Sequence, residues 1–235
     1  PDLEPTLALQ PDLVLMFGMG NPERDMPSGF AESKLPVVIV LDHLEEHPLA
    51  RAEWMKFFAA LVDKQKQADS IFASVETNYF QLKNKVADVS ARPSVFSEIK
   101  FGEAWYMPGG KSFMALLIAD AGGDYLWKDV NQSGSIQLTL EQVLVKAGNA
   151  DVWLNQPLLF SLKDIASADK RYTAFKAFQT KQVYNNTLGR NSKGYSPYWE
   201  SGMSHPDRIL SDLIKIFHPN FQAKQKFYYY EQLPE

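Results

Sequence analysis

The sequence predicts an α/β fold made of two α/β lobes joined by one long helix, and three observations carry that prediction. Two short apolar runs, Leu13 to Phe17 and Leu35 to Asp42, lie close together near the start and read as strands. From Lys64 to Val86 the apolar residues recur at spacings of three and four, the period of a helix. Beyond Arg92-Pro93, strand-like and helix-like runs alternate again.

Each element follows from local pattern. LALQPDLVLMFG opens with a short helical tail and enters a buried strand that turns at Gly18. The link to the second strand, LPVVIVLD, holds Gly20, Pro22, Pro27 and Gly29 and is long enough for a crossover, so parallel pairing is expected. From Pro48 the period becomes helical, with Trp54, Phe57, Phe58, Leu61 and Val62 on one stripe. After Lys64-Gln65-Lys66 a second helix carries Ala68, Ile71, Phe72, Val75, Tyr79, Leu82 and Val86. At roughly 23 residues it spans about 34 Å, enough to run along a lobe boundary, and it is the predicted connector. The expected division is therefore a partial first lobe at 1–62, the connector at 63–88 and a second lobe at 89–235.

In that second lobe SVFSEI reads as a strand, SFMALLIADAG and LTLEQVLVKAG as helices, and DVWLN and QVYNN as strands. A helix from Pro206 to His218 follows from Ile209, Leu210, Leu213, Ile214 and Phe217. Between the first strand and helix, a strand ending in Trp105 and Tyr106 breaks at Pro108-Gly109-Gly110 and gives way to a helix near Ser112. This puts large flat side chains at a sheet's carboxyl edge, where open α/β folds bind ligands. Core aromatics beside a routine helix start fit the same pattern. A phosphate loop at Gly109-Gly110-Lys111-Ser112 does not, because Trp105 stands where that motif requires its first glycine.

With 235 residues, 45% of them hydrophobic, the chain has ample material for a core. Its 24 basic and 28 acidic residues give a net charge of −4, and no basic run interleaved with aromatics is present, which argues against a nucleic-acid partner. The absence of cysteine excludes thiolate metal sites and disulfides. No apolar run is long enough to span a bilayer, and the chain opens on Pro1, so any signal peptide or lipid anchor is expected to have been cut away or never to have existed.

Arg190, Tyr195, Tyr198, Trp199 and Glu200 fall in an irregular, glycine-containing stretch from Asn185 to Gly202, the kind of loop that carries function. Arg190 is suited to pairing with a carboxylate or catecholate oxygen of a ligand, and equally to being a surface arginine. Lys111 is either a ligand cation partner or a solvated helix-start residue. Asp42, His43, Glu45, Glu46 and His47 form the one cluster with metal-ligand chemistry, and they also fit a solvated acidic loop that starts a helix. His205 and His218 read as helix-boundary residues. No arrangement supplies an activated nucleophile or an oriented general base, so no enzyme activity and no cofactor are expected; the alternative is a metal-binding protein or metallohydrolase built on Asp42, His43, Glu45 and His47.

ALQPDLVL, HPLARAEWMKF, WYMPGGKSF, DAGGDYLW, NADVWLN, SPYWESG and DLIKIFHPN, in that order along nearly the whole chain, resemble the periplasmic substrate-binding proteins of ABC importers for iron-siderophore, haem and cobalamin. The resemblance implies the class III arrangement of two lobes joined by a long helix. It also implies a ligand cleft lined by Phe17 and Met19 from the first lobe and by Trp105, Tyr106 and Met107 from the second; Arg190, Tyr198 and Trp199 of the irregular loop above join them in the expected binding set. For Phe17 and Trp105 simple core packing is the competing reading. The resemblance aligns Glu23 with a glutamate that pairs with permease arginines during docking, and an ordinary surface acid fits the position equally well. The implied partners are a ferric siderophore, haem or cobalamin and an ABC permease, and the implied location is the periplasm or cell surface, with a lipid anchor in the full-length form. Family members carry several strands ahead of the segment like ALQPDLVL, so a shortened first lobe is expected.

Overall fold

The computed structural model describes residues 2–235, which form two compact units, one ending at Glu45 and one running from Glu46 to Glu235. In the first, helix α1 (Leu3–Leu9) precedes strand β1 (Val14–Phe17); short helices α2 (Pro22–Asp25) and α3 (Ser28–Glu32) then lead to strand β2 (Val37–Val40). The strands pair in parallel, Val14 opposite Val37 and Phe17 opposite Val40, as the crossover predicts. Pro22 at the first helical position and the Asn21 side chain, which accepts from the Glu23 amide at 3.2 Å, start α2.

The second unit begins with α4 (Pro48–Ala60), capped by His47, whose Nδ1 accepts from the Leu49 amide at 3.2 Å. Next comes α5 (Gln65–Lys85), a single unbroken helix through Phe72 that buries Ala68, Phe72, Val75 and Tyr79 on one stripe. The unit boundary thus falls before α4, earlier than 62. Leu49 and Ala52 of α4 share one hydrophobic core with Phe72 and Tyr79, and this holds both helices in the second unit.

Strands β3 (Ser94–Ser97), β4 (Lys100–Phe101) and β5 (Ala104–Pro108) follow, then helix α6 (Phe113–Asp120), strands β6 (Asp124–Tyr125) and β7 (Ser135–Leu138), and helix α7 (Leu140–Ala147). The remainder comprises β8 (Val152–Leu154), α8 (Leu162–Ala168), α9 (Lys176–Gln179), β9 (Val183–Asn185), α10 (Ser201–Ser204), α11 (Pro206–Phe217) and β10 (Glu231–Gln232). Side-chain caps start the helices whose first residues follow Ser112, Thr139 and Ser161, each hydroxyl accepting from an amide three residues on.

Five strands order as β10-β9-β8-β3-β6, parallel except for β10 at the edge. β4, β5 and β7 make a separate antiparallel sheet with β5 in its centre. This corrects the expectation that Trp105 ends a strand at a carboxyl edge. It sits inside a strand whose two-residue alternation turns Trp105 and Met107 inward and Tyr106 outward. The glycine pair after it serves close approach of two backbones: a Cβ at Gly109 would lie 2.2 Å from the Gln132 carbonyl oxygen, and one at Gly110 2.2 Å from that of Lys128. The amides of Gly109, Gly110 and Lys111 already donate to carbonyls of residues 130 to 134, which leaves no phosphate cradle.

Behind the parallel sheet lies an aromatic core of Phe96, Trp105, Trp153 and Phe175, with ring centroids 4.9 to 6.1 Å apart. The Asp212 carboxylate of α11 accepts the amides of Tyr228, Tyr229 and Tyr230 at 2.7 to 3.1 Å, which docks the last segment of the chain onto that helix. Among the described residues no helix is long and apolar enough to cross a membrane.

Candidate functional site

In the first unit the turn after β1 is tied down by one side chain. The Asp25 carboxylate accepts the amides of Met19 at 2.7 Å and Asn21 at 2.8 Å, and these bonds hold its carboxyl below the usual range. The turn presents Phe17 and Met19, both about two-thirds exposed (65% and 68%), and the Phe17 ring stacks on His43 with centroids 4.4 Å apart. Glu23 lies exposed on α2.

The second unit divides its expected residues. Tyr106 and Trp199 are exposed, the latter at 63% and packed edge-on against Tyr198 at 4.9 Å. The Arg190 guanidinium lies 3.7 Å over the Phe160 ring, a cation–π contact that orients it without using its forked donors. Trp105, Met107 and Tyr198 are corrections: all three are buried. Trp105 donates its indole N–H to the Ser97 carbonyl at 2.9 Å, and the Tyr198 hydroxyl lies 3.9 Å from the Met114 sulfur. They are core residues: Trp105 and Tyr198 each find a partner for the polar atom inside the unit, and the apolar Met107 side chain needs none. Lys111 is exposed, and only its backbone takes part in the contacts just described.

The candidate metal cluster does not assemble. Among the described residues no three His, Cys, Asp or Glu side chains are placed to hold an ion, and the His47 ring is occupied in capping α4. His218 serves a boundary role, its Nε2 lying 3.2 Å from the Gly122 carbonyl oxygen.

Sequence reading missed Glu98. It follows β3 directly with a left-handed backbone (φ 66°), as Asn155 follows β8 (φ 58°), and the two strands are neighbours. The Glu98 amide donates to the Leu154 carbonyl at 2.9 Å, and its own carbonyl accepts the Trp153 indole N–H at 2.7 Å. Burial pushes its carboxyl up to about 7, against an opposing hydrogen bond with Asn155. The Tyr230 hydroxyl donates to Asn155 Oδ1 at 2.9 Å, and the Asn185 amide group donates to the carbonyls of Gln156 and Leu159 at 2.8 and 3.0 Å. The carboxyl ends of β3, β8 and β9 are thereby held together by side chains as well as by the ladder. The one trace of this in the sequence is an acid closing the apolar run SVFSEI.

The family model for periplasmic binding proteins matches residues 1–187. The chain belongs to the periplasmic binding protein family. Over 98% of its length it is 28% identical to an uncharacterized lipoprotein of Methanocaldococcus jannaschii, and it spans 53% of that protein. Among solved structures, it matches an ABC transporter solute binding protein from Sulfurospirillum deleyianum with a TM-score of 0.66 and 21% identity, covering 93% of this chain and 65% of that one. A periplasmic heme-binding protein from Roseiflexus, in apo form, gives 0.68 at 16% identity over 93% of this chain and 80% of that one. At these identities the structures speak to fold, and the fold is the α/β one of periplasmic binding proteins.

Proposed function

We propose that the protein is an extracytoplasmic solute-binding protein that captures a metal chelate, a ferric siderophore, haem or cobalamin, and delivers it to an ABC importer. Family membership carries this reading. It is supported by exposed aromatic and thioether groups in both units, Phe17 and Met19 at the turn after β1 in one, and Tyr106 on the outer face of β5 and Trp199 in a loop in the other, which suit a large flat or chelated ligand. Arg190, oriented over Phe160, keeps its N–H groups available for ligand oxygens. Glu23, exposed on α2, is the proposed contact for permease arginines, where a charge steers docking more than it adds affinity. The lipoprotein name of the archaeal relative supports a membrane-anchored, cell-surface setting.

Tryptophan fluorescence titration with ferric siderophores, haem and cobalamin tests this reading. Of the two tryptophans assigned to the ligand only Trp199 is exposed, so quenching is expected to fall away in Trp199→Phe while Trp105→Phe retains it. If no chelate in the panel binds stoichiometrically, the proposal is wrong.

A further inference from the structure

A cavity of about 520 Å³ opens in the second unit between the segment that follows β3 and the segment that follows β8. The two strands pair in parallel, Val95 opposite Val152 and Ser97 opposite Leu154, so both segments leave the sheet side by side at its carboxyl edge. Each leaves through the left-handed residue described above, Glu98 or Asn155. Beyond those turns Ile99 and Phe101 line one side of the cavity, Leu158 and Leu159 another. Tyr172 adds a rigid wall, its ring held edge-on by Trp105 at 6.0 Å and Trp153 at 5.7 Å. The lining is mainly apolar. Its two charged residues are Asp169, paired with Arg171 at 2.6 Å, and Lys100, the one cation of the lining, whose charge also acts on Asp169 and Glu141.

Two lining residues are apolar without a packing reason. Phe101 is 74% exposed and Leu158 is 77% exposed. Leu158 also holds φ at 69°, a left-handed conformation that asparagine or glycine adopts at less cost. An exposed leucine in a strained conformation gains nothing from the fold around it, and its side chain is buried only if something fills the cavity.

We infer that this cavity receives the apolar arm, an acyl chain or aryl substituent, of an amphiphilic anionic chelate. The volume lies within the range of about 300 to 1,000 Å³ usual for small-molecule sites. The inference rests on the chelate-binding reading and narrows it, excluding wholly polar ligands and assigning Phe101, Leu158 and Tyr172 to the apolar arm and Lys100 to the anionic part.

The test uses two ferric hydroxamates that differ only in a dodecanoyl chain, together with the aryl sulfonate 1-anilinonaphthalene-8-sulfonate. Each is titrated into the protein and its Phe101→Ser and Leu158→Asn variants. Both substitutions are at exposed positions, and Leu158→Asn is expected to leave the melting temperature unchanged or raise it. The acylated chelate is expected to bind at least tenfold tighter than its plain counterpart, with that preference and the aryl sulfonate signal lost in both variants. Equal affinity for the two chelates, or an acyl preference that survives both substitutions, overturns the inference while leaving chelate binding intact. If neither chelate binds yet the aryl sulfonate binds and is lost in the variants, the chelate reading falls and takes the assignment to a chelate's arm with it, leaving a site for an apolar anion of another class.

Discussion

The two units spend similar apolar sequence in different ways. VLMF and VVIV in the first are as hydrophobic as SVFS and VWL in the second, yet among the described residues of the first unit only Met16 and Phe30 are buried apolar side chains. In the second, Phe96, Trp153 and their neighbours are sealed from solvent. A two-stranded sheet offers one pairing ladder and little area to cover, so its order rests on polar ties such as the Asp25 carboxylate at the β1 turn. Five strands with helices packed on them allow a core, and polar ties there become internal supports for it.

The largest expected effect tests the core. Trp153→Ala in the second unit should cost about 3 to 5 kcal/mol, read as a shift in denaturant midpoint. Phe17→Ala in the first, removing a ring that is 65% exposed, should stay within about 0.5 kcal/mol. Comparable losses from the two would break the contrast. Next, Asp212→Ala strands three amides beside α11 and should cost about 2 to 4 kcal/mol, whereas Asp25→Ala, at an exposed turn, should cost distinctly less while loosening Met19. Hydrogen exchange at residues 228 to 230 and at residue 19 would show whether each tie acts locally.

A smaller effect sharpens the contrast through its sign. Glu98 holds its proton more tightly when folded, so its contribution is full below about pH 4.5 and declines as pH rises to about 7, by about 3 kcal/mol at most. Asp212, lifted to about 6 by burial despite its three amide bonds, adds a decline between about pH 3.8 and 6. Asp25 in the first unit acts in reverse, because its carboxyl is lowered and its contribution is lost as pH falls. Urea melts of wild type and Glu98→Gln across pH 4 to 8 should therefore converge near pH 4, draw apart between about pH 4.5 and 7 and stay apart above that, with the variant the more stable. Parallel curves would mean that Glu98 is ordinary in both states.

What was legible in the sequence was local and periodic. The spacing of Phe72, Val75 and Tyr79 specifies α5, that of Ile209, Leu213 and Ile214 specifies α11, and the short runs at 14–17, 94–97 and 152–154 are strands as expected. β7 went unread because SIQL mixes polar and apolar residues and its partner β5 lies nearly thirty positions away. The antiparallel sheet was invisible for that reason, and with it the inward direction of Trp105 and Met107. At the candidate site, exposure of Phe17, Met19 and Trp199 agrees with residue chemistry near turns, but of the adjacent, touching pair Tyr198 and Trp199 the first is buried and the second exposed, which composition does not encode. The Glu98 and Asn155 turns depend on neighbouring strands from distant parts of the chain, and the acid in SVFSEI is their one local trace.

The sides of the parallel sheet carry a consequence for life in a crowded compartment. Its outermost strands, β10 and β6, are each two residues long, one built of Glu231 and Gln232 and the other carrying an aspartate paired with Lys128. An approaching chain finds one or two rungs to climb, flanked by charge, where a longer flat border would template a growing fibre. The flanks of this sheet therefore offer another polypeptide little to pair with, whatever its carboxyl edge meets.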